Sequence, residues 1–116
     1  MKATVFGIKN CDTMKKAFAW LDSHGIDYAF HDYKRQGVPS DRLVAWSKSV
    51  GWERLANRRG PTWRKIPEDA RQELDEGRAL KLLAAHSSAI KRPVIEYGGK
   101  ILVGFDPEEY RRAFDR

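Results

Sequence analysis

A single cysteine, Cys11, is the whole thiol content of this 116-residue chain. That excludes an internal disulfide, and it excludes a zinc site built from several thiolates. No apolar run approaches the ~20 residues that span a bilayer as a helix. Met1 to Gly7 lacks the basic-then-apolar profile of a secretory signal, so the expected compartment is the cytoplasm, where thiols stay reduced. No Gly-x-Gly-x-x-Gly or P-loop lysine occurs, which leaves Gly98-Gly99 and Gly104 as turn residues. His24, His31 and His86 share no metal-ligand spacing. Neither a metal nor a bound cofactor is expected, and none of the three histidines is placed as a catalytic partner.

The remaining composition describes a folded chain. Four Trp, four Tyr and five Phe supply a core, and the length suits one domain rather than two independent ones. Lys and Arg number 22 against 16 Asp and Glu, a formal charge of +6. Such a balance is compatible with nucleic acid, an anionic small molecule or an acidic protein. The excess is densest between Arg54 and Lys65, where Arg58, Arg59 and Arg64 interleave with Trp63 behind Trp52. A cluster like this is more often a solvated loop or helix end, so nucleic acid is not the partner expected. The Trp63-Arg64 pair suits either a cation–π contact or the rim of a site.

Periodicity divides the chain into three stretches. Lys2 to Gly7 is short, β-branched and aromatic, and reads as a strand. Met14, Ala17, Phe18 and Leu21 follow at the i, i+3, i+4, i+7 spacing of an amphipathic helix that ends at Gly25. Ile26, Tyr28 and Phe30 alternate with polar neighbours as a second strand leaving through His31. From about Val38 to Ala85 no strand candidate occurs. Helices are expected from Pro39-Ser40-Asp41 to Val50, over Trp52 to Asn57, and from Pro67. A loop is expected at Arg58 to Thr62, and Gly77 is expected to divide the last helix. Pro93 to Tyr97 and Lys100 to Val103 then flank Gly98-Gly99 as a hairpin. Asp106-Pro107-Glu108-Glu109 carries the cap, the first-turn proline and the carboxylates of a helix start. The order β-α-β, helical block, β-β-α is that of an α/β fold.

Cys11 falls between the first strand and the first helix, at or beside the N-cap. Unpaired N–H groups and the helix dipole favour an anion there, which lowers a thiol's pKa and raises its nucleophilic fraction. Lys9 and Lys15 are expected to push the same way, with Asp12 opposing. A buried structural cysteine is the alternative, but such residues lie in apolar runs and Cys11 stands within Lys9-Asn10-Cys11-Asp12-Thr13. The Thr13 hydroxyl can either cap the helix or hydrogen-bond the sulfur.

The stretch Gly7-Ile-Lys-Asn-Cys11-Asp-Thr-Met-Lys-Lys-Ala17, a helical insert, and Lys91-Arg92-Pro93 opening a hairpin together resemble the arsenate reductase (ArsC/Spx) family of thioredoxin-fold proteins. The YffB branch is most similar, through Asn10 to Thr13 and Arg59-Gly60-Pro61-Thr62-Trp63-Arg64. The resemblance covers essentially the whole chain. It implies one thioredoxin-like domain over 1–116, with a core of about 1–37 and 87–116 and a helical insert of about 38–86. It also implies Cys11 as nucleophile and a cis peptide at Arg92-Pro93 facing it.

Departures from the family pattern narrow the chemistry. Arsenate reductases have Ser and Arg where Met14 and Lys15 stand, and of their three oxyanion arginines only Arg92 matches. Asn57, with Arg58 beside it, and Phe105 occupy the other two places. Spx-type regulators often carry a second thiol where Met14 stands. Monothiol chemistry is what this leaves: a glutathione-dependent thiol/disulfide oxidoreductase, with glutathione as co-substrate and an oxidised thiol or an oxyanion as substrate. Lys9, Asn10, Thr13, Arg58, Arg92 and Pro93 are the expected binding residues. Arsenate reduction by the same cysteine, or a protein-binding module without catalysis, are the alternatives. Nothing in the residues demands more than a monomer.

Overall fold

The computed structural model describes residues 2–116, which divide into two compact units. The first comprises residues 2–37 and 92–116, and the second residues 38–91.

In the first unit β1 (Ala3–Gly7) leads into helix α1 (Asp12–Ser23), and β2 (Tyr28–Asp32) returns alongside β1 in parallel. A single turn, α2 (Tyr33–Gln36), follows, started by the Asp32 side chain accepting from the Lys34 N–H. After the second unit the chain re-enters as β3 (Val94–Tyr97) and β4 (Lys100–Val103), with helix α8 (Pro107–Phe114) last. The sheet order is β2-β1-β3-β4, with β3 antiparallel to both neighbours. This is the mixed sheet of the thioredoxin-like fold that the family resemblance implies.

Register explains the core. Phe30, Val5, Ile95 and Leu102 are cross-strand partners in one row, so all four project from the same face. Met14, Ala17 and Leu21 of α1 and Tyr110 and Phe114 of α8 complete that core. The hairpin turns at Gly98 and Gly99, whose φ angles of 54° and 80° are the pair a two-residue loop with right-handed twist requires. Asp106 caps α8 by accepting from Glu108 and Glu109 N–H groups.

The second unit is built of short helices: α3 (Ser40–Val50), α4 (Trp52–Leu55), α5 (Pro61–Lys65), α6 (Glu68–Arg71) and α7 (Glu76–Ala85). Helix α3 packs on α4 and α7, and Ser47 donates to Glu76 across the α3–α7 pair at 2.7 Å. Leu43, Trp46, Leu55, Ala79, Leu83, Ala89 and Ile90 are among its fully buried apolar residues.

Three details of this stretch correct the sequence reading. Residues 61 and 62 are helical, because Pro61 opens α5 at the position where its missing N–H costs nothing. Gly77 lies inside α7; the helix starts instead at Asp75, whose carboxylate accepts from Arg78 N–H at 2.8 Å. Residues 87–91 belong with the helices rather than with the sheet. Ala56 and Ile90 form an antiparallel bridge, and Lys91 N–H donates to the Leu55 carbonyl.

Candidate active site

The loop joining β1 to α1 is short, and Asn10 turns it with φ of 68°, a left-handed conformation that asparagine tolerates better than most residues. Cys11 then takes the N-cap position of α1 with extended backbone angles. Its carbonyl already accepts the Lys15 N–H at 3.0 Å, as the first bond of the helix requires. The side chain of an N-cap residue lies over the first turn, so the half-buried sulfur faces the open N–H groups of that turn.

Burial raises the Cys11 pKa, and four effects outweigh it: the Met14 N–H, hydrogen bonding from the Arg92 side chain, the Thr13 N–H, and the Arg92 charge. The net result is a thiol held below its ordinary value. In the resting geometry the sulfur makes no cap hydrogen bond of ordinary length and angle. The amides and the guanidinium therefore act on the thiolate as it forms, through partial and full positive charge.

Thr13 contributes through its backbone N–H, not through the hydroxyl that the sequence left open. The cation beside the sulfur is Arg92, whereas Lys9 and Lys15 are exposed, as is Asp12. Arg92 is joined to Pro93 by a cis peptide, and Pro93 is buried at the entrance to β3. The Pro93 carbonyl accepts from Gly104 N–H at 2.8 Å, which ties this turn to the end of β4. Arg58 belongs to the helical unit, where its guanidinium lies 5.5 Å from the Trp52 ring centroid. The stacked cation in that unit is thus Arg58 on Trp52, while Trp63 is buried.

The grouping of Tyr33 with Arg92 and Glu96 left no mark in the sequence. Tyr33 is 4% exposed and its hydroxyl makes no hydrogen bond. Burial drives its pKa up, with Arg92 lowering and Glu96 raising it. Tyr33 therefore lies within electrostatic reach of both the guanidinium that faces Cys11 and the Glu96 carboxylate. Tyr33 and Glu96 come from α2 and β3, the elements after β2 and after Pro93, so no local spacing announces the grouping.

Two of the histidines are occupied elsewhere. His24 caps α1 and stacks on Trp20 with centroids 3.8 Å apart. The His31 ring shares a hydrogen bond with the Gly37 carbonyl at 2.8 Å. Among the described residues no group of three or more His, Cys, Asp or Glu could hold a metal ion. No helix of the described residues is long and apolar enough to cross a membrane.

A half-buried thiol, drawn toward its anion by two amides and one guanidinium, is suited to nucleophilic attack on oxidised sulfur or an electrophilic oxyanion. Known proteins carry the same frame. The solved YffB (PA3664) protein superposes with a TM-score of 0.93 at 49% identity, covering 96% of this chain and 97% of that one. An arsenate reductase (ArsC) related protein of Brucella melitensis is 52% identical with a TM-score of 0.77, covering 100% and 97%. An uncharacterized protein of Haemophilus influenzae is 45% identical over 111 residues, 96% of this chain and 97% of its own length. The global transcriptional regulator Spx of Streptococcus pyogenes is 27% identical, covering 97% of this chain and 85% of that protein. The family model for ArsC matches residues 6–113, and the chain belongs to the ArsC family.

Proposed function

We propose that the protein is a glutathione-dependent thiol/disulfide reductase that works through Cys11 alone. The observation carrying this reading is the lone thiol held below its ordinary pKa by the first turn of α1 and by Arg92. The Cys11 thiolate attacks one sulfur of an oxidised substrate, a new S–S bond forms, and the second sulfur leaves as a thiolate that takes a proton from water. Glutathione thiolate then attacks the mixed disulfide, restoring Cys11 and carrying the substrate sulfur away as a glutathione disulfide. Overall one glutathione has taken the place of one sulfur of the substrate disulfide. A second glutathione thiolate then attacks the glutathione sulfur of that product, releasing the substrate thiol and oxidised glutathione, so that two electrons pass from two glutathione thiols to one substrate disulfide. With no second cysteine in the chain, the resolving thiol comes from outside.

Lys9, Asn10, Thr13, Arg92 and Pro93 border Cys11 along the chain or face it, and they are the residues proposed to receive glutathione. Arsenate reduction by the same thiolate is less well supported. A dianion calls for several charge-assisted donors together, and Met14, 1% exposed in the core, offers only its amide.

Incubation with oxidised glutathione followed by mass measurement tests the reading. One glutathione adduct is expected, located on Cys11, removed by reduced glutathione and absent from Cys11→Ser. A thiol that stays unmodified sinks the proposal. Turnover of arsenate in a glutathione- and glutaredoxin-coupled assay would replace it with the oxyanion reading.

A further inference from the structure

We propose that the groove along the outer edge of the sheet binds a small organic carboxylate with an aromatic or branched apolar body. A seat for the non-glutathione half of the substrate is its fitting use, and that use alone rests on the thiol chemistry proposed above.

The groove encloses about 660 Å³ and lies wholly within the sheet unit. Its floor is aromatic. Phe18 of α1 stacks on Tyr28 at 5.3 Å and meets Phe30 edge-on at 5.2 Å. All three are only partly buried, so ring surface remains for a ligand to cover. The Tyr28 hydroxyl is directed to Asp22, and burial followed by that carboxylate raises its pKa. The floor therefore offers apolar area more than hydrogen bonds.

The rim is charged. Lys9 and Arg35 stand on it, both exposed, and among the described residues neither forms an ion pair or a hydrogen bond. Asp32 is the single carboxylate lining the groove, and it is 7% exposed with an oxygen committed to the Lys34 N–H at 2.9 Å. The surface a ligand meets is thus positive, and one carboxylate placed between Lys9 and Arg35 would complement it.

The same geometry decides against a peptide added to the β2 edge. The Asp32 N–H, which faces that edge, is already taken by the Gln36 side-chain carbonyl at 3.2 Å, and α2 begins at the next residue. The location suits a thiol enzyme. Lys9 stands two residues before Cys11, and Phe18 stands seven after it, on the same side of α1.

Titration of the ¹⁵N-labelled Cys11→Ser chain with 2-naphthoate, followed by amide shifts, tests binding without any thiol reaction. Saturable shifts centred on Lys9, Phe18, Tyr28, Phe30 and Arg35 are expected. Replacing both Lys9 and Arg35 by Ala should weaken naphthoate by about five-fold, the scale of exposed charge contacts, while leaving the rest of the spectrum in place. The neutral isostere 2-naphthylmethanol should bind weakly and be indifferent to that change. The proposal is overturned if no shifts saturate, if they centre elsewhere, or if acid and alcohol bind alike. It is equally overturned if S-methylglutathione moves the Phe18, Tyr28, Phe30 and Arg35 resonances as tightly, since the groove itself, and not only the shared Lys9 at its rim, would then serve the co-substrate. Failure of Cys11 to accept glutathione would leave these outcomes untouched.

Discussion

Gly7 and Met14 share a contact with no room to spare: a methyl group added at Gly7 would lie 2.5 Å from the Met14 sulfur and 2.7 Å from its terminal carbon. Met14 is 1% exposed and sits in the first turn of α1, three residues after Cys11. The end of the first strand thus fixes the helix turn beneath the thiol. Gly7→Ala is expected to destabilise the protein by about 1–2 kcal/mol, since a thioether adapts but a packed core resists extra volume. Urea denaturation measures this. Combining it with Met14→Ala should cost less than the two changes summed, because the added methyl then has space; strict additivity would show that the two residues do not couple.

The cap of α8 offers a second check. One Asp106 oxygen accepts from the N–H groups of both Glu108 and Glu109, satisfying donors that the helix leaves open. Asp106→Ala should lower stability by about 1 kcal/mol, and Asp106→Ser should recover most of it. A thermal melt of the two variants decides the matter, and equal losses for Ala and Ser would rule out capping as the cause.

What the sequence made legible follows local physics. The strand–cysteine–helix junction, the Gly98-Gly99 turn and the Asp106 cap each depend on a few adjacent residues, so residue type and spacing were enough. The ArsC relationship was legible for another reason, since it rests on several short stretches in register across the chain. Contacts made by sheet order were not legible. Tyr33 meets the charges of Arg92 and Glu96 because β2 and β3 flank β1, and nothing in its immediate neighbours says so. The start of α7 was missed because Gly77 was weighed as a breaker, while the decisive residue was the capping Asp75 just before it. At Cys11, residue type suggested Lys9 and Lys15 as nearby cations and the family resemblance placed Arg92 opposite the thiol; the fold sets Arg92 beside the sulfur and leaves both lysines exposed.

Tyr110 joins the closing helix to the end of the sheet. Its hydroxyl, on a residue 1% exposed, donates to the Gly104 carbonyl at 2.6 Å. Removing the hydroxyl in Tyr110→Phe keeps the ring but leaves that acceptor short of a partner. A loss of about 1–2 kcal/mol is expected by urea denaturation. No change in midpoint would mean that solvent replaces the bond in full.

The thiolate itself makes the sharpest prediction. Iodoacetamide reacts with the ionised form, so its rate against pH traces the Cys11 titration. The midpoint should lie below the ~8.5 of a free thiol, because the Met14 and Thr13 amides and Arg92 together outweigh burial. Arg92→Ala should move the midpoint upward, and Arg92→Lys should move it less, since charge is kept while the planar donor fork is lost. Linkage gives the sign for stability. A group whose pKa is depressed by folding contributes stability that is fully present above its unfolded value and is lost as pH falls through its folded one. The stability of the wild-type chain relative to Cys11→Ser should therefore grow between those two pH values and level off above ~8.5. A difference flat across that window would mean that the folded chain does not favour the anion, and the nucleophile assigned to Cys11 would lose its physical basis.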